Sequence, residues 1–163
     1  MSSDTMVFPF IRTPSNPKKR PVLWVSLENP ADPERRKMVC PALLDTGADC
    51  TVAPRWMCEE LGHVFQEGLE HSYVGGIGAG RVMTTRHAIE ATVFAPLAGG
   101  GIPVAGSMTF FTMKMLMSFM DQDFPMVLLG QADFFHLHKY CQDRHEGWFS
   151  LQRVQDLGNH LTE

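Results

Sequence analysis

The sequence predicts an all-β domain with one or two short helices. Three observations carry this. Val22-Leu23-Trp24-Val25-Ser26-Leu27 is a β-branched, aromatic and apolar run that stops at the turn Asn29-Pro30-Ala31-Asp32-Pro33. Arg36–Leu44 and Arg81–Val93 read as two further strands, the second long and partly alternating. Helical patterns are confined to short stretches, residues 53–62 and 132–140. With 163 residues, 44% hydrophobic and 20% charged, the chain suits one globular domain with a real core.

Taken in order, residues 1–20 read as a flexible N-terminal segment. Val7–Ile11 is long enough for a short strand, and Pro14, Asn16 and Pro17 then break it. Residues 22–27 and 36–44 form a hairpin. Ala53–Gly62 is a short helix, with Pro54 suited to its first turn and Gly62 to its stop; Trp56, Met57 and Leu61 are its core residues. Gly68–Thr92 is a second hairpin, with the glycine run Val74-Gly75-Gly76-Ile77-Gly78-Ala79-Gly80 at its tip. That run lacks the Gly-Lys-Ser/Thr end of a phosphate loop and precedes a strand pattern, which argues against a nucleotide site. Ala98–Gly101 is a turn, and Ser107–Phe119, rich in Phe and Met, gives one or two strands, read as plain core, with Met lining an adaptable apolar surface as the alternative. Asp121–Asp123 is a turn and Val127–Leu129 a buried strand. Ala132–Tyr140 is a short helix offering Phe134, Phe135 and Leu137 to the core, and Trp148–Gln152 is a terminal strand. The domain runs over residues 21–155, and residues 156–163 are a flexible tail.

Composition excludes some functions. The net charge is −4, from 14 basic and 18 acidic residues, which does not suit a nucleic-acid surface. Lys18-Lys19-Arg20 and Arg35-Arg36-Lys37 read as solvated loops. Met1–Phe10 has an early Asp4, no basic start and no long apolar core, unlike a signal peptide. Ile102–Met120 is apolar but interrupted by Pro103, Gly106, Ser107 and Lys114, so buried strands are expected and no membrane partner. Cys40, Cys50, Cys58 and Cys141 contain no Cys-x-x-Cys pair, and reduced thiols in a cytoplasmic protein are the simplest expectation. His136, His138, Cys141 and His145 are metal-ligand types, but no second paired set completes a zinc pattern; no metal and no cofactor are expected.

The stretch that carries chemistry is Ala42-Leu43-Leu44-Asp45-Thr46-Gly47-Ala48-Asp49-Cys50-Thr51-Val52. An apolar run ends in Asp-Thr-Gly. One reading is a turn between two strands. The other is a buried strand delivering a carboxylate into a tight loop, bent at Gly47 and held by Thr46.

The segment resembles the active-site loop of retropepsin-like aspartic proteases, the single-domain relatives of the retroviral enzymes. Residues 74–80 resemble the glycine-rich flap. Val127-Leu128-Leu129-Gly130-Gln131-Ala132-Asp133-Phe134-Phe135 resembles the apolar-apolar-Gly segment that leads into that fold's C-terminal helix. The three pieces fall in the family's order, and the resemblance spans residues 20–155, weakest over 98–124. It implies a closed β-barrel, one lobe per chain. It also implies that Asp45 is catalytic, supported by Thr46, Gly47 and Ala48. Gly47, Asp49, Val74, Gly75, Gly76, Ile77, Gly78, Ala79 and Gly80 would face an extended peptide substrate. One Asp-Thr-Gly per chain supplies half a site, so the expected partner is a second copy, its Asp45 completing a dyad in a homodimer. Residues 1–20 then include a candidate dimer-interface strand. The alternative is a non-catalytic dimeric peptide-binding or assembly module on the same fold.

Three departures from the family pattern matter. Gln131 stands where an Arg usually pairs with the acid at the position of Asp49, which weakens that support. Ala79 stands where Gly is frequent. Ala48 stands where Ser often stabilises an ionised aspartate, so the dyad is expected to ionise less readily and to work best in mild acid.

Overall fold

The structure is a computed structural model that describes residues 5–76, 78–98 and 100–154. Ile77, residues 1–4 of the N-terminal segment and the expected tail at 156–163 lie outside the described residues. At Gly76, Gly78 and Ala79 the backbone alone is described.

In chain order the strands are β1 (Thr5–Pro9), β2 (Ile11–Thr13), β3 (Asn16–Arg20), β4 (Val22–Glu28), β5 (Lys37–Leu44) and β6 (Val52–Pro54). Then come helix α1 (Arg55–Glu60), β7 (Glu70–Gly76), β8 (Gly78–Phe94), β9 (Thr109–Met120), β10 (Val127–Leu129), β11 (His138–Asp143) and β12 (Trp148–Arg153). Single 3₁₀ turns lie at Phe65–Glu67 and Phe135–Leu137.

The strands β4-β5-β10-β6-β9-β8 pair in that order, and β8 returns to β4, so six strands close into a barrel. Closure leaves no free edge in that circuit. Among the described residues β7 pairs only with β8 and stands outside it. The pairing is antiparallel except at β10 with β5 and β6 with β9. These two parallel contacts bring the ends of β5, β6 and β10 together, which is where the Asp45 loop emerges.

Period-2 alternation drives the barrel interior. Leu23, Val25 and Leu27 of β4 are buried, as are Cys40, Ala42 and Leu44 of β5 and Ile89, Ala91 and Val93 of β8. Met113, Met117 and Phe119 of β9 join them, so part of the Met-rich stretch is core, whereas Ile102, Val104 and Met108 are exposed. Each large side chain buried this way contributes about 1.5–3 kcal/mol before the entropy cost of ordering it. Met57 and Cys58 of α1, with the adjoining Leu61, are fully buried in the same core. A separate sheet, β1-β12-β11, packs by aromatic contact. The Phe8 ring stacks on Phe149, centroids 5.1 Å apart and 9° from parallel.

The hairpins, α1 and the terminal strand fall where the sequence predicts them. Three expectations need correction. Residues 132–140 do not form a helix. The Gly130 carbonyl accepts from both Phe134 N and Phe135 N at 3.2 Å, giving turns rather than a regular ladder. From His138 the chain then pairs with β12 over six residues. A lone short helix is a marginal structure, and the strand partner prevails. Residues 5–20 are three strands rather than a loose segment, because β1 finds β12 and buries Phe8. Trp56 is 40% exposed rather than core; its indole Nε1 donates to the Phe124 carbonyl at 3.4 Å. Among the described residues no helix is long and apolar enough to cross a membrane.

Candidate active site

The loop that follows β5 is fixed at both ends. At its start, Asp45 N donates to the Leu129 carbonyl at 3.1 Å, tying it to β10. Ala48 N donates to the Asp45 carbonyl at 3.1 Å, which closes a tight turn. Gly47 N donates to Asp45 Oδ1 at 3.0 Å, so the turn holds the carboxylate it delivers. A Cβ on Gly47 would sit 3.3 Å from that oxygen, tighter than ordinary contact, and glycine removes the crowding.

At its far end the loop is held by Thr51, which is fully buried. Its Oγ1 accepts from Gly130 N at 3.1 Å, and its N donates to Asp133 Oδ2 at 2.8 Å. Its carbonyl accepts from Ser118 N at 3.1 Å. Between the ends, Gln131 N donates to the Ala48 carbonyl and Ala132 N to the Asp49 carbonyl, both at 2.9 Å. The Gln131 side chain donates to the Thr46 carbonyl at 2.8 Å. Gln131 therefore braces the loop through the Thr46 carbonyl and not through the Asp49 carboxylate that the family's Arg would pair with. The side chains of Thr46 and Asp49 are exposed.

A cleft of about 200 Å³ opens beside Asp45. Asp45 and Asp49 bring carboxylates to its lining, with Gly47 and Ala48 between them. Cys50, Val52, Leu128 and Met120 form apolar walls, and Val74 and Gly75 of β7 also line it. Six residues singled out in the sequence thus meet in one cleft: Asp45, Gly47, Ala48, Asp49, Val74 and Gly75. Thr46 and Gly80 do not line it; Gly80 is exposed on β8. The walls went unmarked in the sequence, although Leu128, half-buried between the buried Val127 and Leu129, carries the period-2 signal of a residue facing the other way.

An ion pair also went unread. Arg86 in β8 reaches Asp133 at 3.4 Å and Glu70 at 3.1 Å. The thiols of Cys40 and Cys58 are pushed up to about 12 by burial, which leaves them protonated and unreactive near neutrality. Cys50 is half-buried, its Sγ 3.9 Å from Ser118 Oγ. Burial, reinforced by His87, holds His63 down to about 4. His138 is buried with its Nδ1 donating to the Phe134 carbonyl at 2.9 Å, whereas His136, Cys141 and His145 are exposed. Among the described residues no group of three His, Cys, Asp or Glu side chains converges to hold a metal ion.

No family model matches the chain, and no curated protein matches it. Among solved structures the chain is similar to a retropepsin-like aspartic protease from Rickettsia conorii, at 13% sequence identity and a TM-score of 0.47. The match covers 94% of this chain and 95% of that one.

Proposed function

We propose that the chain is an aspartic-type endopeptidase that works as a homodimer, with Asp45 of each copy forming the catalytic dyad. The observation that carries the reading is the Asp45 carboxylate itself. It stands just after the end of a barrel strand and lines a cleft, held by Gly47 N, and Val74 and Gly75 of β7 line the same cleft. The bond to Gly47 N alone would serve a structural turn; what favours chemistry is that the same carboxylate lines a cleft with Val52, Leu128 and Met120.

One chain supplies one such carboxylate, and a two-fold axis beside the loop would bring in the second. Two like charges that close share one proton, so one carboxyl stays protonated while the other is ionised. The ionised Asp45 takes a proton from a bound water, whose oxygen attacks the peptide carbonyl carbon. The protonated Asp45 hydrogen-bonds the oxyanion as it forms. The proton then passes to the leaving nitrogen as the C–N bond breaks. The β7–β8 hairpin acts as the flap over an extended peptide bound like an added strand. The apolar walls favour apolar side chains next to the cleaved bond. With Ala48 in the loop, no side-chain hydroxyl at that position stabilises the ionised dyad, which places optimum activity in mild acid. The free thiols suit a reducing, cytoplasmic setting.

The test is cleavage of a diverse peptide mixture from acid to neutral pH, comparing wild type with Asp45→Asn. Wild type should cleave and the variant should lose activity by at least about 10³-fold. An optimum in strong acid would refute the role given to Ala48. A dimeric wild type that cleaves nothing would leave the non-catalytic peptide-binding module as the reading.

A further inference from the structure

We propose that Arg86 is a positioning residue that ties the root of the β7–β8 hairpin to the loop carrying Asp45. The kinetic consequence rests on the protease reading; the mechanical coupling rests on geometry alone. Arg86 stands in β8, directly opposite Glu70 at the start of β7. Its guanidinium reaches three separate elements. Nη1 donates to Glu70 at 3.1 Å, Nη2 donates to the Leu116 carbonyl of β9 at 3.2 Å, and Nη2 also lies 3.4 Å from Asp133 Oδ1. The other oxygen of Asp133 accepts from Thr51 N at 2.8 Å. Thr51 is the fixed far end of the Asp45 loop. A continuous run of directional contacts therefore leads from the hairpin through Arg86 and Asp133 to the loop.

The members of this run are unequal. The Asp133 side chain is 10% exposed, Arg86 is 28% and Glu70 is 60%. A carboxylate as buried as Asp133 needs a counter-charge, and Arg86 supplies it. The exposed pair with Glu70 adds little by itself, and serves to mark where the hairpin starts. Arg suits the position because its planar fork engages a carbonyl and a carboxylate together; an ammonium is a single point charge. When the hairpin shifts over a substrate, Arg86 shifts with β8. Asp133 follows, and Thr51 N carries the displacement into the loop.

The experiment uses the full chain with Arg86→Met, Arg86→Lys, Asp133→Asn and the Arg86→Met/Asp133→Asn double variant. Amide exchange at Thr51 is measured with global stability measured alongside, together with kcat and KM on a cleaved peptide. Arg86→Met and Asp133→Asn should each speed Thr51 exchange by about tenfold or more without matching loss of global stability. Each should lower kcat by roughly 10- to 100-fold while KM changes less than about threefold. Arg86→Lys should fall between, and the double variant should be no worse than the worse single one, because both break one linkage. Unchanged Thr51 exchange in a folded variant, or losses that add in the double variant, would overturn the proposal. If dimeric wild type cleaves no peptide, the protease reading fails, and Thr51 exchange alone decides the coupling. If Arg86→Met does not fold, Asp133→Asn and Arg86→Lys decide it.

Discussion

A Cβ on Gly130 would lie 2.8 Å from Cys50 Cα and closer still to the Cys50 carbonyl, so β10 and the Asp45 loop touch only because residue 130 has no side chain. The obstruction is backbone, which cannot swing aside. Gly130→Ala should cost roughly 2–4 kcal/mol, read as a lowered urea midpoint. An unchanged midpoint would show that the close approach is not needed. The same scale separates what the sequence makes legible from what it hides. Asp45 and Gly47 are readable because their bond spans two residues and belongs to a local turn. Gln131 reads only as a missing Arg, since its partner, the Thr46 carbonyl, lies 85 positions away. Arg86 and Asp133, 47 positions apart, carry no local mark of their pairing.

Elements that bury one face announce themselves, and elements that depend on a distant partner do not. β4 and β5 are plain in the sequence because Leu23, Val25, Leu27, Cys40, Ala42 and Leu44 alternate with less buried positions. Residues 132–140 mislead because Phe134, Phe135 and Leu137 suit a helix face, while the deciding fact is the six-residue register with β12. β1 is the mirror case. Its weak five-residue pattern becomes a strand because Thr5–Pro9 pairs with residues 148–152 and Phe8 packs on Phe149 and Phe110. Phe8 is 3% exposed, so Phe8→Ala should destabilise by about 3–5 kcal/mol. Amide exchange should quicken first in β1 and β12, ahead of the barrel strands. Equal protection across both sheets would mean that β1 is not the weak link.

Closure of the barrel is a whole-molecule property, set by the pairing of β4 with β8 across more than fifty positions, and nothing local in either strand foretells it. Closure also buries polar rings. His63, beyond α1, meets His87 of β8 with ring centroids 4.5 Å apart, and both face Phe119. Burial, then the neighbouring His87, holds His63 down to about 4, against 6.5 unperturbed. Burial also lowers His87 and His138. The unfolded chain thus binds more protons than the folded one below pH 6.5, and stability must fall as pH drops from 6.5 toward 4. His63 accounts for roughly 1–2 kcal/mol of that fall, after discounting for solvent screening. Asp32 acts lower: its hydrogen-bonded pairing with Arg36 holds it at about 2 against 3.8, so its contribution is lost only below pH 4. Urea midpoints should therefore be flat from pH 6.5 to about 8, below the range in which unfolded thiols ionise, slope down to pH 4, and slope less in His63→Gln. A wild-type midpoint constant across that window would refute the buried neutral pair. The slope coincides with the mild acid in which the Asp45 dyad is proposed to work. Loss of activity on its acid side then has two separable causes. Protonation of the dyad reverses at once on return to neutral pH, whereas protonation of the histidine pair acts through unfolding and tracks the urea midpoint.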